Sequence, residues 1–173
     1  MWTRDVYLGG SRTLAALAAV VLLADPDLLG QLACLWRSAG QGTLPIESAA
    51  WVVDAPDGRA TLVPWNGDGG SHHASWRGEI PEGARRVVHT HPRGDTERPS
   101  AGDRTAARAL GLPVTVVTRA GLWSALPDGD VTREEGDDWL SRAAPCSCAS
   151  RPQNATRAPM RSERGSRRPV AFP

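Results

Sequence analysis

The run Arg85-Arg-Val-Val-His-Thr-His91, stopped by Pro92, constrains this chain more than any other segment. Its β-branched centre reads as a strand, and proline cannot continue a central ladder because it has no N–H to donate. In an extended strand, residues two apart project from one face, so His89 and His91 present both imidazoles to the same side while Thr90 faces the other. The fold must therefore place a strand end, with two aligned imidazoles, where other elements can reach it.

The flanking segments supply those elements. Ser11–Ala24 has helix-forming composition. Asp25-Pro26 then reads as an N-cap followed by proline in the first turn, opening a second helix through Leu28, Leu29, Leu32, Leu35 and Trp36. After Gly40-Gln-Gly42, a hairpin is expected: Ala49–Val53 as a buried strand, Asp54–Gly58 as the turn and Ala60–Val63 as the returning strand. Residues 66–78 are rich in glycine and polar groups and read as an exposed loop. Beyond Pro92 the expectation is a loop to Pro99, a helix from Ser100 to Leu110, strands at Pro113–Val117 and Leu122–Leu126, and a closing helix over Thr132–Ala143.

A catalytic zinc takes three protein ligands and keeps its fourth position for water, so His89 and His91 need one partner. Asp103 is the candidate. Ser100 at the helix N-cap and Asp103 three residues on lie in the first turn of the helix that follows the strand, where a carboxylate can reach back to the strand end. Taken alone, Ser-x-x-Asp is a capping arrangement and His-x-His in a strand is two ordinary imidazoles. In this order and at this distance they reinforce each other. Other metal-capable groups are weaker: Asp95 and Glu97 lie in the loop, the adjacent His72 and His73 read as exposed, and Cys146 and Cys148 read as two free thiols. Of the tryptophans, Trp51, Trp65, Trp76, Trp123 and Trp139 read as packing residues, with Trp76 also placed to line a substrate groove.

His89-Thr-His91-Pro92 followed by Ser100-Ala-Gly-Asp103 resembles the JAMM (JAB, MPN-plus) family of zinc isopeptidases and peptidases over roughly residues 40–126. The loop Arg93–Pro99 is one residue longer than the family's usual spacing, an insertion that leaves both strand and helix register unchanged. Glu47-Ser-Ala-Ala-Trp-Val-Val fits the place of the family's glutamate, with Ala50 where glycine is commoner, and His91-Pro-Arg-Gly-Asp95 is similar to the wording of the RadC branch. The resemblance implies an α/β (α+β) fold in which a curved mixed sheet is flanked by helices, the cytidine-deaminase-like JAB/MPN arrangement. It implies Zn2+ held by His89, His91 and Asp103, Glu47 as proton shuttle, and Ser100 as hydrogen-bond donor to the oxyanion. The implied activity is hydrolysis of a peptide or isopeptide bond, at the tail of a ubiquitin-like or sulfur-carrier protein or in another peptide, with an extended substrate adding as a strand beside the site.

Composition bounds the rest. The 173 residues suffice for one domain, taken as 1–144, followed by an Arg-, Pro- and Ser-rich tail over 145–173 that reads as disordered. All 20 basic residues are arginine, which points to codon bias in a GC-rich genome. Six of them (Arg151, Arg157, Arg161, Arg164, Arg167, Arg168) lie in the tail with a single acid, Glu163, leaving an acidic body. That asymmetry supports a second reading, a RadC-like nucleic-acid-associated module whose tail binds phosphate weakly and without sequence preference. Three cysteines are too few and too oddly spaced for a disulfide-built module, so a reducing cytoplasm is the expectation. The apolar run Leu14–Ala24 is about half the ~20 residues a membrane-crossing helix needs, lacks a good signal-peptide pattern, and reads as a buried core helix.

Overall fold

A computed structural model describes residues 25–65, 74–76, 78–146 and 170–171. The expected first helix, His72 and His73, Cys148 and the six tail arginines lie outside these residues. Asp25 caps helix α1 (Pro26–Ser38), its side chain accepting from Asp27 N–H at 2.9 Å. A short 3-10 turn at Gly40–Gly42 leads to the hairpin β1 (Ala49–Asp54) and β2 (Ala60–Pro64). Then come β3 (Ser75–Trp76), β4 (Ala84–Thr90), helix α2 (Ala101–Leu110), β5 (Val114–Thr118), β6 (Gly121–Ala125), β7 (Val131–Glu135), helix α3 (Trp139–Arg142) and β8 (Val170–Ala171).

Six of these strands form one mixed sheet in the order β2-β1-β4-β5-β6-β7. Only β4 and β5 run parallel among the described neighbours in that sheet, and α2 is the crossover between them, as parallel strands require. Strand alternation divides the core in two. Ala50, Val52, Val88, Val117 and Leu122 face α1 and α3, packing on Leu28, Leu29, Leu32, Trp36 and Trp139. Trp51, Val53, Val87, Val114 and Ala125 face α2 and its Ala106 and Ala107. The architecture is thus the expected mixed sheet flanked by helices.

Three expectations are corrected. Thr132–Ala143 is not one helix: Asp128-Gly129 reverses the chain, Leu126 N–H bonding Asp130 O at 2.8 Å, and the next residues pair with β6 as β7. Pairing to an existing sheet edge outweighs the helix-forming tendency of Arg133-Glu-Glu135, and only Trp139–Arg142 is helical. The 66–78 segment is not all loop, because Ser75–Trp76 pairs antiparallel with Val170–Ala171. Trp76 packs with Trp51 and Trp65, the ring centres 5.5 to 6.0 Å apart.

The third correction concerns cysteine. Cys146 is joined to Cys34 of α1 by a disulfide between Cα atoms 5.5 Å apart, across 112 residues of sequence. Ala144 N–H also bonds Pro26 O at 3.0 Å, so the segment after α3 lies along α1. One premise of the reducing-compartment expectation is thereby removed. No described helix is long and apolar enough to cross a membrane. A cross-link closing so long a loop chiefly restricts the unfolded chain, so Cys34→Ser is expected to lower stability by about 2–4 kcal/mol, read as a shift in urea midpoint, with wild type under reductant matching the variant.

Candidate metal centre

The pairing of β1 with β4 sets the geometry. Ala49 lies opposite His89, and Thr90 N–H bonds Ser48 O at 2.9 Å, continuing the same antiparallel register past the strand's end. Ser48 N–H closes the pair on Thr90 Oγ1, also at 2.9 Å. Extended one step further, this register sets Glu47 opposite His91. Directly opposed residues share a face, so Glu47, His89 and His91 project to the side covered by α2. His91 N–H bonds Val117 O at 3.2 Å, which extends the alignment across the parallel neighbour.

Asp103 arrives on that side from the first turn of α2. Ser100 Oγ accepts from Asp103 N–H at 3.1 Å, and Asp103 Oδ2 accepts from Ser100 N–H at 2.6 Å, a reciprocal capping box. The capping reading and the ligand reading hold together: the cap engages Oδ2, while Oδ1 is buried without a hydrogen-bond partner, 3.3 Å from His89 Nε2. The two Nε2 atoms are 3.1 Å apart, and His91 Nε2 lies 3.9 Å from Asp103 Oδ2.

This cluster fits a metal ion. Ligand atoms held about 2.0–2.1 Å from a tetrahedral ion stand about 3.3 Å from one another, close to the two shortest separations here. His91 Nδ1 donates to the Thr96 carbonyl at 2.7 Å, which fixes the tautomer with a lone pair on Nε2. Burial lowers the His89 pKa to about 4, with the His91 charge acting the same way and Asp103 opposing, so its imidazole is neutral at physiological pH. A single proton shared between the two rings would leave Asp103 Oδ1 orphaned, whereas a cation satisfies all three groups. Among the described residues, His89, His91 and Asp103 are the one buried His/Cys/Asp/Glu group of this kind. Asp95 and Glu97 are exposed on the loop and stand outside it.

Glu47 is also buried, and its Oε2 has no hydrogen-bond partner. Burial above all, then the charges of Asp103 and Asp95, raise its pKa to about 8. Beside the ligands, a groove of about 770 Å3 opens between α1 and the metal loop, lined by His91, Pro92, Arg93, Trp36, Thr118 and Arg119 among others. Gly42 shapes its wall: its φ is +74°, its carbonyl accepts Arg93 N–H at 2.6 Å, and a Cβ there would fall 2.6 Å from the Trp36 ring.

All five sequence-predicted site residues are thus buried or half-buried around one sheet face. Sequence reasoning missed the Thr96 carbonyl, for which no signal exists because a main-chain acceptor has no residue type. It also missed the Ser48–Thr90 clamp, which the position of Ser48 beside Glu47 could have suggested. No protein-family model matches the chain, and neither a curated protein nor a solved structure matches it.

A buried acid whose folded pKa lies above its unfolded value contributes stability below the unfolded pKa and loses it as pH rises through the folded one. In the metal-free chain Glu47 keeps its proton where the unfolded chain has lost it, while His89, with its lowered pKa, works the other way up to about pH 6.5. The net loss of stability from these two groups is therefore expected between about pH 6.5 and 8. Glu47→Gln should flatten that slope in urea titrations of metal-free protein; an unchanged slope would assign it to another group.

Proposed function

We propose that this chain is a zinc-dependent hydrolase of the JAMM type, with the JAB/MPN fold, cleaving a peptide or isopeptide bond. The observation that carries the reading is the convergence of two imidazoles and one orphaned carboxylate oxygen beside a second buried carboxyl that no structural bond uses. Two imidazole nitrogens and a carboxylate oxygen suit zinc, and a site of three protein ligands leaves one position for solvent. When bound, zinc supplies Lewis acidity, polarising a carbonyl and making water ionisable near neutral pH.

The side chains do the rest. Without a cation Glu47 is held neutral; a positive charge among its neighbours favours its carboxylate, which then accepts a proton from water and returns it to the departing amine. Ser100 Oγ already accepts from Asp103 N–H, leaving its own hydrogen for the oxygen on which negative charge develops. The groove beside His91 gives a polypeptide a way to the site, and the tail of a ubiquitin-like or sulfur-carrier protein is the substrate class that the resemblance supports. The nucleic-acid reading rests on the tail arginines and on the RadC-like wording of His91-Pro-Arg-Gly-Asp95, and no geometry in the described residues favours it.

Zinc analysis of wild type and variants, paired with cleavage of ubiquitin-like fusion proteins and a mixed peptide library, tests the proposal. Asp103→Ala is expected to lose zinc. Glu47→Gln should retain it while hydrolysis falls about 10²–10⁴-fold. A Glu47→Gln enzyme as fast as wild type would sink the mechanism, and absence of zinc from wild type would sink the metal assignment.

A further inference from the structure

The metal loop poses a problem of rigidity. Residues Arg93–Arg98 are all exposed, yet the Thr96 carbonyl among them sets the orientation of the His91 ring. Exposed loops with few buried contacts are ordinarily the least fixed part of a fold. At its first end this loop is held by the Arg93–Gly42 bond and a turn in which Asp95 N–H reaches Pro92 O at 3.2 Å. Thr96 itself is joined forward, its hydroxyl donating to Arg98 O at 2.8 Å.

Arg98 is where the second half meets the sheet. Its guanidinium carbon stands 4.5 Å from the centre of the Trp123 ring, and Arg133 lies against the same indole at 5.7 Å. Arg133 is fixed in turn, donating to Ala120 O at 2.8 Å. Register explains why Trp123 is available. His89 pairs with Val116 and Val116 with Trp123, so the indole stands in the same cross-sheet row and on the same face as the ligand His89, two strands away.

We infer that Trp123 and Arg98 are positioning residues of the metal centre, their stack holding the Thr96 carbonyl against His91 Nδ1 and so keeping the Nε2 lone pair aimed at the ion. The inference rests on the hydrolase reading for its ion and on the cation–π contact for its mechanism. Trp123 contributes no ligand atom and touches no reacting group; its effect passes through Arg98, Thr96 and His91 in turn.

Zinc competition against a chromophoric chelator, with the full chain, separates this role from mere folding. Trp123→Leu and Arg98→Met are expected to weaken zinc binding about tenfold, the low end for loss of support to a ligand, while Trp123→Phe and Arg98→Lys restore it by keeping a ring face and a cation. The ¹⁵N shifts of His91 in metal-free protein give the second readout: a single Nδ1–H tautomer in wild type and the conservative variants, a mixture in the other two. Arg98 is exposed, so Arg98→Met reports even where Trp123→Leu fails to fold. Wild-type affinity and a wild-type tautomer in Arg98→Met would overturn the assignment. A wild type that takes up no zinc would instead remove the hydrolase reading, with the tautomer signature still deciding whether the stack orients His91.

Discussion

The antiparallel pairing of β1 with β4 is the constraint on which the rest depends. Side chains of paired strands share a face only in one register, and a slip of one residue would carry Glu47 to the opposite side of the sheet from both histidines. Ser48 and Thr90 lock the register at the critical end, main chain to main chain and main chain to hydroxyl. Burial reinforces it, because the same slip would exchange Trp51 and Val53 with Ala50 and Val52 between two cores shaped for side chains of different size.

Helix α2 completes the arrangement by making one carboxylate serve two ends. Asp103 answers an unpaired N–H at the start of the helix with one oxygen and turns the other toward His89. The cap fixes the side chain before any ion is present, so the ordering of this ligand is met by folding rather than by binding. In the metal-free chain Glu47 holds its proton, which spares Asp103 a second buried negative charge beside it.

Much of this was legible in the sequence, and the reasons differ from place to place. His89 and His91 could be assigned to one face because strand alternation is a strict period of two, and Asp103 because a capping box fixes a carboxylate within one turn of its serine. The hairpin of β1 and β2 announced itself through Asp57-Gly58. Where the outcome depends on partners distant along the chain, the local pattern fails. Arg133-Glu-Glu135 favours a helix until β6 offers an edge. The Cys34–Cys146 bond requires knowing that the segment after α3 lies against α1. Arg86 stands at a strand start, yet it is buried in an ion pair with Glu134 at 2.9 Å, and Thr115 and Ser124 also accept from its Nη1, so that four strands contribute to the cluster. Charge in that environment is stable only when every partner is supplied, and nothing near Arg86 in the sequence names them.

The interior position of β4 bears on how a substrate chain arrives. With β1 on one side and β5 on the other, both hydrogen-bonding edges of the histidine-bearing strand are already taken. Under the proposed hydrolase reading, a polypeptide substrate would not join the sheet alongside the metal ligands; it would come end-on, over the carboxyl ends of the parallel pair. Main-chain ladders, which accept any sequence, are then unavailable next to the ion. On that reading selectivity would fall to side-chain complementarity along the groove, which Arg93, Arg119 and Trp36 help to line.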